Sequence, residues 1–194
     1  MNEFFIILAS ASRYRQELLA RFGLPFESWS PEVDERPLAG EAPRETAQRL
    51  ALAKAQAGSE EFPNAWVVGS DQVAELDGQP LGKPGSRENA RGQLARMRGR
   101  TVAFHTAVCL CHAARDRCSR RLVTTLVSFR AFTDDEIERY LDREPAFDCA
   151  GSAKSEGLGV SLLERLSGDD PTALVGLPLI ALGEMLRAEG FRIP

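Results

Sequence analysis

The sequence predicts an α/β fold, a mixed sheet with flanking helices, formed by residues 1–194 as a single domain. Three observations carry that prediction. Apolar runs of strand length alternate with helical patterns, the order that lays helices against a sheet. Cap residues bracket the helical patterns, with Ser12, Ser86 and Thr133 in front and Gly23 and Gly99 behind. An Asp77-Gly78 pair sits between two β-like runs, and two long alternating patterns follow it, so antiparallel pairs belong in the sheet.

The elements follow in order. Phe4 to Leu8 reads as a strand, Ser10 and Ser12 as a turn, and Leu18, Leu19 and Phe22 as one helix face stopped by Gly23. The free N–H groups of that helix's first turn favour an anion such as phosphate, and Arg15 adds a bidentate partner. An ordinary capped helix with a surface arginine is the plainer alternative. Phe26 to Ser30 is a short extended segment, followed by the acidic cluster Glu32-Val33-Asp34-Glu35 and a loop over residues 36–42. A helix starts at Pro43 and puts Ala47, Leu50, Ala51 and Lys54 on one face. A lysine there snorkels to the rim or projects into a site, and snorkelling is the commoner outcome.

Trp66 to Val68 reads as a short buried strand at which Gly69 lets the backbone turn, delivering Asp71 where the strand ends. An Asp that simply opens a turn is the alternative. The Asp77-Gly78 hairpin returns the chain through Leu81 to Lys83, back towards Asp71. Ser86 caps a helix with Ala90, Leu94 and Met97 inside. Val102 to Leu110 and Val123 to Phe129 alternate as an antiparallel pair joined by a polar loop over residues 113–119, with His105 and His112 structural or solvent-facing. Thr133 and Glu136 have capping-box spacing ahead of Ile137, Tyr140 and Leu141. Small residues dominate Cys149 to Gly157, where Lys154 and Glu156 are the only long side chains. Leu158, Val160 and Leu162 then read as a strand, residues 167–170 as a turn, and Pro178 as the start of a helix with Leu179, Leu182 and Leu186 inside.

The net charge of −4 argues against a nucleic-acid groove or an anionic membrane surface as partner, while leaving room for a small phosphorylated ligand. No apolar run approaches the roughly 20 residues of a membrane span. The apolar stretch at the N-terminus is shorter than a signal-peptide core and has Glu3 where positive charge is expected. Cys109, Cys111, Cys118 and Cys149 lack metal-ligand spacing and read as small core or surface thiols of a cytoplasmic protein.

Six segments together resemble one family. They are Leu8 to Ser12 with Arg15, Glu32 to Glu35, Gly69 to Gln72, Leu81 to Pro84, Cys149 to Ser152 and Val175 to Pro178; in this order they resemble the Maf family of nucleoside triphosphate pyrophosphatases. The resemblance implies a fold like that of inosine-triphosphate pyrophosphatases, with two lobes around a cleft. It implies cleavage of a nucleoside triphosphate to the monophosphate and pyrophosphate, dependent on a divalent cation, Mg2+ or Mn2+. Asp71 matches the family's proton acceptor, while Ser10, Arg15, Lys54 and Lys83 match phosphate positions, and Asp34 with Asp71 the metal. Gln72 and the Ser152 to Gly157 stretch resemble the branch acting on 7-methyl-GTP, with Tyr14 standing where that branch typically has Trp. The rival readings are the same chemistry on another triphosphate, such as UTP, dTTP or CTP, and a nucleotide-binding regulator of septum formation. A homodimer is compatible with the resemblance.

The residue types suit that chemistry. Arg15, Lys54 and Lys83 offset phosphate charge, and Asp34 and Asp71 offer hard oxygens to a cation. Asp71 serves as base only if it keeps an oxygen off the metal. A cationic 7-methylguanine would be attracted to the face of Tyr14. Glu156 would accept from its N1–H and N2–H edge, and Gln72 would serve the carbonyl side. A salt bridge to Lys154 is the plainer reading of Glu156.

Overall fold

The computed structural model describes residues 5–194, so Phe4, expected to open the first strand, lies outside the described residues. Strands β1 (Ile6–Ala9), β2 (Phe26–Trp29), β3 (Trp66–Leu76), β4 (Gln79–Leu81), β5 (Thr101–His112), β6 (Arg117–Phe129) and β7 (Leu163–Ser167) form one sheet in the order β2-β1-β3-β5-β6-β7, with β4 on β3. Helices are α1 (Arg13–Ala20), α2 (Pro43–Glu61), α3 (Arg87–Met97), α4 (Asp134–Arg143) and α5 (Leu179–Ala188). β1 runs parallel to β2 and β3, and every other pairing is antiparallel, so the sheet is mixed as expected.

The cap and hairpin signals hold. Ser12, Ser86 and Thr133 accept from backbone N–H groups of their own first turns. Asp77 and Gly78 both have φ near the left-handed region, at 54° and 76°, and join β3 to β4 with Leu76 opposite Gln79.

Gly69 was expected to turn the chain, but it does not. β3 continues through it from Trp66 to Leu76. A Cβ at Gly69 would run into the Ala51 carbonyl oxygen and stand 2.5 Å from the Ala55 nitrogen. The residue is a glycine because α2 lies directly on the strand there. Asp71 is therefore a mid-strand residue, and alternation sends Gly69, Asp71 and Val73 to the α2 face and Ser70 and Gln72 to the other.

Pairing also leaves a gap. β1 pairs with β3 from Trp66 to Val68, and β4 pairs with it from Ala74 to Leu76, while β5 flanks the whole stretch. Among the described residues, 69–73 thus have a neighbour on one edge and none on the other. Side chains from both faces can reach that notch.

The face opposite α2 carries two apolar cores. One gathers Val102, Phe104, Val127 and Phe129 with α3 and α4; the other gathers Val108 and Leu110 with α1 and α5. Between them lie the fully buried hydroxyls of Ser70 and Thr106. A buried hydroxyl without a partner costs about 1–3 kcal/mol. Both have partners: Thr106 donates to Ala173 O at 2.8 Å, and Ser70 to Ala107 O at 2.8 Å and Gly176 O at 3.0 Å. These bonds clamp the 173–176 turn over the seam between the cores.

Three other expectations need correction. Residues Leu158–Leu162 form a 3-10 turn, and the strand begins at Leu163. The Gly159 N–H is spent on Glu144 Oε2 at 3.0 Å and the Val160 N–H on Gly157 O at 3.3 Å, so no ladder forms and Val160 faces outward. The β5–β6 connection is shorter than expected, a 3-10 turn at Ala113–Arg115 with β6 resuming at Arg117. Cys111 and Cys118, directly paired across those strands, form a disulfide, so the thiol reading holds for Cys109 and Cys149. Both histidines are buried, with His105 held between Thr124 Oγ1 at 2.9 Å and Glu75 Oε2 at 3.0 Å. Among the described residues no helix is long and apolar enough to cross a membrane.

Candidate active site

The notch beside β3 opens into a cavity of about 570 Å3 lined by Ser10, Arg15, Glu35, Lys54, Asp71, Gln72 and Lys83 among others. The residues expected at the phosphates and the expected base thus line one cavity, delivered by the β1–α1 turn, α1, α2, β3 and the β4–α3 loop. Asp34 does not line it.

Lys54 is the centre of the arrangement. It lies on the core face of α2 and is 7% exposed, so it projects into the site and does not snorkel. Its Nζ donates to Asp71 Oδ1 at 2.7 Å and reaches Glu35 Oε1 at 2.6 Å. A buried ammonium is tolerated there because two carboxylates meet it. The hydrogen bond from Lys54 holds the Glu35 carboxyl below its ordinary 4.5 against desolvation, and the charges of Lys83 and Arg15 add to the effect. Those two cations therefore act on the same spot. Among the described residues no hydrogen bond reaches Asp71 Oδ2.

The acidic cluster divides differently from the expectation. Asp34 is exposed and forked to Arg36, with Nη2 to Oδ2 at 2.6 Å, and that bond lowers its carboxyl from 3.8. Glu35, the next residue, lines the cavity and meets Lys54. The cluster was legible in sequence; which acid faces in was decided by the loop.

The Ser10 hydroxyl accepts from Ser12 N–H at 3.1 Å and from Arg15 Nη1 at 3.3 Å, which leaves its own proton free for an anion. Arg15 Nε donates to Gly176 O at 2.9 Å. Gly176 has φ of 120°, a conformation that suits glycine and lets one carbonyl serve both Arg15 and Ser70. Desolvation lowers the Arg15 pKa from its ordinary value, while Asp71 and Glu35 pull it back up.

A smaller recess of about 40 Å3 adjoins the cavity and shares Gln72 and Ala150 with it. Tyr14, Gln72 and Glu156 all line it, with Phe104 and Lys154. Gln72 is fixed: its Nε2 donates to Thr106 Oγ1 at 2.9 Å, Ala173 O at 2.9 Å and Leu174 O at 3.0 Å. The amide protons are spent, so its free atom is Oε1, an acceptor, contrary to the expectation that it would donate to a base carbonyl. Lys154 does not pair with Glu156. Its Nζ reaches Asp148 Oδ1 at 3.2 Å and lies 5.7 Å from the Tyr14 ring centroid, covering one face of that ring. Tyr14 also donates to Asp148 Oδ2 at 3.3 Å. Among the described residues no ion pair reaches Glu156.

Asp148, Thr106 and the 173–176 turn were not expected at the site. A hydroxyl interrupting the apolar alternation of β5 at Thr106 was the available signal. Nothing local marks Asp148.

A family model described as Maf-like protein matches residues 5–189. A protein of Aromatoleum aromaticum named 7-methyl-GTP pyrophosphatase is 59% identical over 189 residues, covering 97% of each chain. One of the same name from Xanthomonas oryzae pv. oryzae is 58% identical, covering 97% of this chain and 98% of its own. Among solved structures, a Ham1 protein of Staphylococcus aureus aligns with a TM-score of 0.48 at 16% identity, over 64% of this chain and 71% of that one. With the family model spanning nearly the whole chain, this protein belongs to the Maf family.

Proposed function

We propose that residues 1–194 act as one catalytic domain that hydrolyses 7-methyl-GTP to 7-methyl-GMP and pyrophosphate. The observation that carries the reading is Lys54 Nζ, held between Asp71 and Glu35 in a cavity that Arg15 and Lys83 also line. The triphosphate would lie along Ser10, Arg15 and Lys83, whose donors offset its charge. Asp71 Oδ2, which no hydrogen bond reaches among the described residues, would take a proton from the water whose oxygen attacks the α-phosphorus. The bond from that phosphorus to its bridging oxygen breaks, and pyrophosphate departs with the electron pair towards the cations.

A divalent cation suits this site through a different pair from the one expected. Asp71 and Glu35 already converge on one positive charge, and Mg2+ is commonly held by one or two carboxylates plus phosphate oxygens. These two residues would hold Mg2+ or Mn2+; Asp34, turned to Arg36, would not. Such an ion supplies charge neutralisation and a lowered pKa for bound water.

The recess supports the base assignment. Glu156 carries an uncompensated negative charge there and would meet the N1–H and N2–H edge of a guanine whose N7-methylation makes it cationic. The names of the closely similar relatives point the same way.

The test is product analysis with 7-methyl-GTP, GTP, UTP and dTTP in the presence of Mn2+. Monophosphate plus pyrophosphate, formed fastest from 7-methyl-GTP, is the expected result. Faster turnover of UTP would overturn the base assignment, and diphosphate plus phosphate would overturn the site of attack.

A further inference from the structure

A second set of cations lies away from the cleft. Arg130, Arg139 and Arg143 line a cavity of about 130 Å3 between α4 and the 3-10 turn Leu158–Leu162, together with Glu136, Tyr140 and Ser161. Arg130 is committed: its Nε donates to Ser161 O at 2.7 Å and its Nη2 to Glu136 Oε1 at 2.8 Å. That bond also cancels the only carboxylate of the lining. Arg139 and Arg143 are different. They stand one turn apart on α4, exposed, and no ion pair or hydrogen bond reaches either among the described residues. Like charges at that spacing repel. Asp135 and Asp142 stand four before and three after Arg139 on α4, but Asp142 is paired with Arg87 at 2.8 Å and no ion pair joins Asp135 to Arg139 among the described residues. Of the side chains that line this small concavity three are cations and one is a carboxylate, and that carboxylate is bonded to Arg130.

We propose that this cavity is an oxyanion site for a phosphate-class ligand, separate from the catalytic cleft. Its size selects the ligand. Pockets for drug-sized molecules span about 300–1,000 Å3, so this one is too small for a nucleotide and suits one phosphate or pyrophosphate group. Guanidinium groups match phosphate oxygens with paired N–H donors, and the Ser161 hydroxyl adds another donor. The ligand would tie α4 to the turn that continues directly from Lys154 and Glu156. Pyrophosphate as the source rests on the activity proposed above; phosphate does not.

Phenylglyoxal labelling, read arginine by arginine by peptide mass spectrometry on the intact protein, tests the site. Phosphate or pyrophosphate should slow labelling of Arg139 and Arg143 at least about fivefold while leaving Arg96, an exposed arginine on α3, unchanged. Chloride at matched ionic strength should not. Protection by both anions assigns the site to phosphate groups generally, and protection by pyrophosphate alone assigns it to the reaction product. Unchanged labelling with both anions, or equal protection by chloride, overturns the proposal. Arg15 in the same spectra reports the catalytic cleft, so failure there is read independently. The double variant R139Q/R143Q, at two residues that line neither the cleft nor its recess, should keep its turnover and lose phosphate affinity outside the cleft at least about tenfold; unchanged affinity would overturn the assignment to these two residues.

Discussion

Lys54 is buried for two carboxylates, so its removal has an electrostatic consequence as well as a steric one. In Lys54→Met the hydrogen bond that holds the Glu35 carboxyl below 4.5 is gone. The Glu35 titration should then move up towards its ordinary value, which carboxylate-detected NMR would follow, and turnover at neutral pH should fall at least about a hundredfold. Asp71→Asn should keep nucleotide affinity and lose pyrophosphate release; unchanged release would remove Asp71 from the chemistry. At Gln72 the relevant partner is Thr106, whose hydroxyl accepts from the amide while donating to Ala173 O. Thr106→Val removes that acceptor and loosens the clamp on the 173–176 turn. KM for the preferred triphosphate should rise on the order of tenfold with kcat changed far less, since no reacting atom is touched. Equal losses in kcat and kcat/KM would place Gln72 in the transition state.

At the scale of elements, the contact of α2 with β3 fixes where Lys54 and Asp71 meet. Gly69 allows it, because a side chain there would collide with the backbone of Ala51 and Ala55. Gly69→Ala should cost about 1–3 kcal/mol by overpacking, seen as a fall in Tm of several degrees, with activity lost through displacement of α2. A neutral outcome would mean the helix sits further from the strand. The loop ahead of α2 is tied down by Glu41, which meets Arg49, Thr46 and the Leu38 N–H. The Arg49 hydrogen bond, ahead of the smaller contributions of Leu38 and Thr46, brings the Glu41 carboxyl from 4.5 to about 2. A carboxyl held low contributes stability above its ordinary pKa, and that contribution is lost as pH falls from 4.5 to about 2. Glu41→Gln should flatten this stretch of the stability curve by on the order of 2 kcal/mol in urea unfolding. The same steep acid limb in the variant would show that Glu41 does not anchor the loop.

Across the whole molecule, function follows from a sheet whose central strand outlasts its neighbour. β1 stops while β3 continues, and the notch so made receives Asp71 from one face and Gln72 from the other. The two apolar cores on the far face meet at a polar seam, and the 173–176 turn closes it. Much of this was legible in the chain: strand and helix alternation, the Asp77-Gly78 hairpin that returns Lys83, the caps at Ser12, Ser86 and Thr133. These are local features, set by hydrophobic period, turn stereochemistry and side-chain hydrogen bonds within a few residues. The errors fell elsewhere. Gly69 was read as a turn because flexibility and close packing use the same residue, and only the position of α2 tells them apart. The family resemblance implies Asp34 at the metal, whereas the loop turns Asp34 to Arg36 and Glu35 to Lys54. The residues around Lys54 left rim and site both open, because its two partners lie 19 residues before it and 17 after it in sequence.

The amino-acid sequence by itself determined most of the elements, their order, the mixed character of the sheet and the set of polar residues available to a phosphate. Tertiary structure alone decided which of those residues share a cavity, that Lys54 lies between two acids and that Gln72 turns its oxygen outward. The division has one physical cause. Local structure answers to neighbours along the chain, whereas the charge and hydrogen-bond state of a buried polar group answers to whatever the fold brings against it.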